Sequence, residues 1–195
     1  MMITTTPRSA FAIGFSLAVL MAATRSHHFA TALHVPDTSW AVFFVAGFYL
    51  RPLWTFPALL ALAGVSDYVA ITSFGVSDFC LSPAYSFLLP AYGSLWFAGR
   101  WYAARHRFAS STLVPLAGSL FLGAAVCELI SNGGFYFFSG RFAETSLLEF
   151  GGRLAKYFPL SLESVAFWVG IAMVLHILFT LAASNFMRAR HQKAG

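Results

Sequence analysis

Charge is what this chain has least of. Of its 195 residues only 10% are charged, with 12 Lys or Arg and 7 Asp or Glu. A soluble domain carries about 25% charged residues, so most of this surface does not face water. Cysteine is nearly as scarce. Cys80 and Cys127 form no CxxC pair and no zinc spacing, which supports neither a disulfide scaffold nor a structural zinc site. No dense run of Lys or Arg occurs, which argues against nucleic acid as a partner. No internal repeat is visible between the apolar segments, which weakens the inverted-repeat class of secondary transporter. There is also no soluble stretch with room for an ATPase. A transporter built this way takes its energy from a partner or a gradient.

Apolar and aromatic residues fill the remainder. The chain is 58% hydrophobic, with 22 Phe, 5 Trp and 7 Tyr, and its mean hydropathy is +0.72. That composition predicts an all-α integral membrane protein, a single transmembrane domain over residues 1–195. Six apolar segments are read as spans, at 10–32, 40–50, 53–73, 84–99, 112–130 and 162–183. The first follows Arg8 and is taken as a retained span rather than a cleaved signal. The stretch 131–161 is read as the longest loop, holding a short helix.

Basic residues set the expected orientation. With six spans, one side carries Arg8, Arg51, Arg100, Arg105, Arg107, Arg188, Arg190 and Lys193, and the other only Arg25, Arg141, Arg153 and Lys156. The positive-inside rule then places both termini of this inner-membrane protein in the cytoplasm. His27, His28, His34, Asp37, Asp78 and Cys80 fall on the outer side.

Several residues stand out against this background. Cys80 lies in a loop before Pro83, where a thiolate is both a soft metal ligand and a redox handle. A packing role for Cys80, or its pairing with Cys127 near the outer end of span five, stays open. Asp67, about 12 Å below the outer end of span three at 1.5 Å per residue, is costly in hydrocarbon, as are Arg25 and Glu128. They either pair, Arg25 with Asp67, or line a polar cavity open to the outside. His176 is placed mid-span, with no second buried histidine expected at matching depth. Trp40, Tyr68, Tyr85 and Tyr92 gather near the outer ends, as interfacial aromatics or as the walls of a wide pocket. Small residues at Ala10, Gly14, Ala18, Ala22, Ser26 and Ala30 recur every fourth position, which lets another helix approach closely, within this chain or from a partner.

Several strings together resemble the BtuM family of small proteobacterial cobalamin transporters, which are related to the substrate-binding S-components of energy-coupling factor transporters. They are Ser26-His27-His28-Phe29, the run from Pro36 to Phe44, Gly47-Phe48-Tyr49-Leu50-Arg51, the run from Gly75 to Tyr85, and Leu89-Pro90-Ala91-Tyr92-Gly93. The likeness is close over the first half of the chain. The second half matches mainly in span layout and around Arg153.

The resemblance implies a six-helix S-component-like bundle with a cobalamin cavity on its outer face. It implies Cys80 as the axial cobalt ligand, and His28, Asp67, Tyr85 and Arg153 as substrate-binding residues. It also implies Ala18 and Ala22 as the surface that meets the transmembrane subunit of an energy-coupling factor module. Cobalamin, the expected bound substrate, is a large flat corrin ringed with amides, and suits aromatic walls and scattered hydrogen-bonding groups. Cys80 on cobalt is further expected to promote loss of cyanide from cyanocobalamin. The rival readings are uptake of another vitamin, an integral-membrane redox, haem or quinone protein using His28, His176 and Cys80, and a structural membrane subunit.

Overall fold

In the computed structural model, residues 6–25, 36–75, 77 and 82–193 are described, the side chains of 183 and 185–193 excepted. Cys80, His27, His28, His34 and Asp78 lie outside them. The described residues form six α-helices and no strand: α1 (Pro7–Arg25), α2 (Ser39–Tyr49), α3 (Thr55–Phe74), α4 (Leu88–Arg105), α5 (Leu113–Phe138) and α6 (Leu147–Lys193). Short 3-10 turns at Pro83–Phe87 and Ser110–Thr112 lead into α4 and α5. The helices alternate in direction. Among the described residues, four segments are long and apolar enough to cross a membrane: Pro7–Arg25, Thr55–Phe74, Ser110–Phe138 and Leu147–Ala182.

The centre of the bundle is α2. It has 11 residues, and every side chain from Ala41 to Gly47 is buried. At 1.5 Å per residue it is about 16 Å long, near half the hydrocarbon thickness of a bilayer. Pro36 precedes it and Arg51-Pro52 follows, so its length is set by residues that do not extend a helix. It is a core helix encased by its neighbours. Phe43 stacks on Tyr92 of α4 at 4.5 Å between ring centres and meets Phe56 of α3 edge-on at 5.7 Å.

Two glycines let α2 and α4 touch through their backbones. A methyl group at Gly47 would overlap the Trp96 carbonyl oxygen, and one at Gly99 would overlap that of Phe44. This reciprocal contact fixes the register of the two helices. The end of α2 is then closed by Arg100 of α4, whose Nη1 donates to the carbonyl oxygens of Leu50 (3.3 Å) and Arg51 (3.1 Å).

Three sequence expectations change here. The stretch 131–161 is mostly helix: α5 runs on to Phe138, and α6 begins at Leu147, leaving 139–146 as the connection. Its charges had suggested a loop. Glu149, Arg153 and Lys156 instead recur at helical spacing along α6, so they occupy a stripe of a helix. Lengthening α5 moves Cys127 and Glu128 away from the outer end to the middle of the helix. Cys127 is free and fully buried, and Glu128 is buried with the Asn132 amide donating to it. The early start of α6 likewise moves His176 from mid-span towards the far end of the bundle.

Candidate functional site at the Asp67 end of the bundle

The C-terminal end of α1, the N-terminal end of α2 and the last third of α3 converge on one salt bridge. Arg25 grips Asp67 with two parallel bonds, Nε to Oδ1 at 2.7 Å and Nη2 to Oδ2 at 2.8 Å. The guanidinium's third edge is used too. Nη1 donates to Ser39 Oγ and to the Tyr92 hydroxyl, each at 2.8 Å. Ser39 is held by Asp37, whose Oδ1 accepts from its backbone N–H (3.0 Å) and its hydroxyl (2.8 Å). The pattern Asp37-Thr38-Ser39 is an Asx turn that starts α2, a local device with its own sequence signal. Thr24 and Thr38 close the corner with a 2.6 Å hydroxyl contact.

Of the two readings of Arg25 and Asp67, pairing is the one observed. The pair is not a surface one: the Arg25 and Asp67 side chains are 10% and 25% exposed. A carboxylate in that setting is held by geometry as well as charge, because the planar fork of Arg matches both oxygens.

Tyr85 joins from the next element. Its hydroxyl donates to Asp67 Oδ2 at 2.7 Å. Tyr85 sits on the Pro83–Phe87 turn, which is seated by Phe87 in the niche left by Gly134 of α5, where any side chain would strike the Phe87 ring. Phe87 also stacks on Phe138 at 5.3 Å. The chain leaves α3 through Gly75, in the left-handed conformation at φ 65°, which glycine adopts without strain. It re-enters at Pro83. The Pro83–Phe87 turn is thus fastened to Asp67 through Tyr85.

Arg153 lies at the same end but in separate surroundings. Its guanidinium carbon is 5.4 Å from the ring centre of Tyr136, 4.8 Å from Phe142 and 5.7 Å from Tyr157. Its Nε is buried without a hydrogen-bond partner among the described residues. Tyr136 ties the α5–α6 connection together, donating to Glu149 Oε2 (2.9 Å) and accepting from the Ser146 N–H (3.0 Å).

The structure therefore brings Asp67 and Tyr85 into direct contact and sets Arg153 at the same end of the bundle. Tyr92 belongs to the cluster, whereas Tyr68 is exposed and outside it. Thr24, Thr38 and Ser39 are members that their sequence positions did not single out. Ala18 and Ala22 on α1 are half-buried. Ala18 packs against the core, and Gly14 faces Leu50, so part of the small-residue stripe is used within the bundle. The outward side of α1 presents Phe11, Phe15 and Val19.

At the opposite end of α2, His176 has a partner that sequence reasoning missed. Its ring centre lies 5.2 Å from that of His106, the residue that follows α4. Two imidazoles clamping one iron from opposite faces of a porphyrin need about 6 Å between ring centres at metal–nitrogen distances near 2 Å. This pair is too close for a bis-histidine haem. Among the described residues, no three His, Cys, Asp or Glu side chains gather in a metal-binding group.

No family model matches this chain, and no curated protein matches it.

Proposed function

We propose that this protein takes cobalamin up across the bacterial inner membrane, binding it at the Asp67 end of the bundle with the Cys80 thiolate on cobalt. In this reading all six helices form the membrane domain, and the Arg100–Arg107 end faces the cytoplasm with both termini. The observation that carries it is the bond from Tyr85, which follows Cys80 by five residues in sequence, to Asp67: the Tyr85 hydroxyl donates to Asp67 Oδ2 at 2.7 Å. A cluster rich in hydrogen-bonding groups, with a soft ligand close by in sequence, is the combination that a cobalt corrin ringed with amides requires.

Each residue has a part in this reading. Cys80 supplies the axial ligand and displaces the lower base. Tyr85 and the outward edge of Asp67 meet corrin amides, and Arg25 holds Asp67 in orientation with its two parallel bonds. Arg153, in its aromatic setting, offers an unpaired donor to an acceptor on the ligand, and His28 completes the binding set. Ala18 and Ala22 meet the transmembrane subunit of an energy-coupling factor module. Thiolate donation to cobalt weakens the bond on the opposite face. Cyanide then leaves with its electron pair and water takes its place, with no change of oxidation state.

The test is the visible spectrum of purified protein after incubation with cyanocobalamin, beside Cys80→Ala. A retained corrin with shifted bands in the wild type, reverting in the variant, is the expected result. Absence of corrin from both proteins would falsify the cobalamin reading. Cyanide release at an unchanged rate from Cys80→Ala would remove the decyanation step alone.

A further inference from the structure

The far end of α2 carries a second cluster that the proposed uptake function does not use. Tyr49 of α2, Tyr102 and His106 at the end of α4, and Met173 and His176 of α6 line one cavity of about 50 Å³. A water-sized guest needs about 10–15 Å³, so an ion and a water fit. Each imidazole is tied at the same ring atom. The Tyr49 hydroxyl lies 2.7 Å from His176 Nδ1, and the Tyr102 hydroxyl lies 2.9 Å from His106 Nδ1. Both Nδ1 atoms are engaged, which leaves both Nε2 atoms for another partner. Metal-binding histidines are commonly held this way, with the second nitrogen fixed by an outer hydrogen bond that sets the tautomer.

The spacing agrees with a shared ion. Two imidazoles bound to one metal at about 2.0–2.1 Å, with a tetrahedral angle between them, hold their ring centres about 5.1 Å apart. The observed separation is 5.2 Å. Met173 and His176 are three residues apart on α6, which puts both on one helix face. Two imidazole nitrogens and a thioether, with no carboxylate among the described residues of the cavity lining, select a soft monovalent ion over a hard divalent one.

We propose that His106, His176 and Met173 form a Cu(I) site at the end of the bundle opposite Asp67. It joins the α4 terminus to α6 and sits against the last turn of α2. This site is independent of cobalamin binding.

The experiment uses purified full-length protein in the Cys80→Ala background, which removes a competing thiol. Cu(I) is titrated anaerobically against a colorimetric Cu(I) chelator. One equivalent should bind, with X-ray absorption showing nitrogen and thioether neighbours. His176→Phe, which keeps an aromatic ring against Phe48 and His106, should weaken binding by about 100-fold, and the volume-conserving Met173→Leu by about 10-fold. Gel-filtration elution of each variant at the wild-type volume verifies folding. No bound Cu(I), unchanged binding in both variants, or a thiolate-only shell from Cys127 would each overturn the proposal. Binding of Zn(II) but not Cu(I) would overturn the assignment of the ion.

Discussion

At the scale of single residues, the Arg25–Asp67 pair has the largest energetic consequence. Removing one partner of a buried ion pair strands the other and typically costs 3–5 kcal/mol, whereas an exposed pair contributes about 0–1 kcal/mol. Asp67 retains some exposure, so Asp67→Asn is expected to cost about 3 kcal/mol, the lower end of that range. Tyr85→Phe deletes one hydrogen bond to a charged group and should cost about 1.5 kcal/mol. Thermal unfolding of the two single variants and the double variant in detergent measures both. Because Tyr85 acts through Asp67, the double variant should be less destabilised than the sum. Strict additivity would sever the link between Tyr85 and Asp67.

The sequence marked Arg25, Asp67, Tyr85 and Tyr92 because ionisable or hydroxyl groups in an apolar chain are conspicuous. Thr24 and Thr38 were not legible in this way. Hydroxyls that bond across 14 residues leave no periodic trace. The contact between His106 and His176 was hidden for another reason. It depends on where α6 begins, and charges at Glu149, Arg153 and Lys156 disguised that start as a loop.

At the scale of helices, the boundaries set by local chemistry were legible and those set by packing were not. The expected spans 40–50 and 53–73 meet Ser39–Tyr49 and Thr55–Phe74 within about two residues, because Pro36, Arg51-Pro52 and Gly75 punctuate them. Gly133 and Gly134 fall in the stretch 131–161, read from sequence as a loop. They lie inside α5, where Gly134 makes room for Phe87. Glycine thus has two opposite meanings in this chain, and substitution separates them. Gly47→Ala or Gly99→Ala forces α2 and α4 apart and should abolish a monodisperse gel-filtration peak. Gly118→Ala, on an open face of α5, should leave the peak intact and stabilise the protein by about 0.5–1 kcal/mol. Equal tolerance at Gly47 and Gly118 would refute the backbone contact.

At the scale of the whole molecule, stability should depend on pH through the His106 end. Burial first, and the His176 imidazole second, hold His106 below its ordinary value of 6.5. The folded protein therefore disfavours the protonated form more than the unfolded chain does. The stability tied to neutral His106 is complete above about pH 6.5 and is lost as pH falls from there through the lowered folded value. The melting temperature should drop between about pH 7.5 and about pH 5, and His106→Gln should flatten that part of the profile. An identical profile in the variant would refute His106 as the source of the acid sensitivity.

The shortness of α2 bears on how the chain enters its membrane. Eleven residues do not partition stably into a bilayer alone, and the two glycine contacts that hold this helix come from α4, encoded about fifty residues downstream. During synthesis α2 has no settled place until α4 has left the ribosome. The first half of the chain is therefore expected to be an unfinished intermediate until then, and a translational pause placed before Leu88 should lower the yield of purified protein while leaving its activity per molecule unchanged.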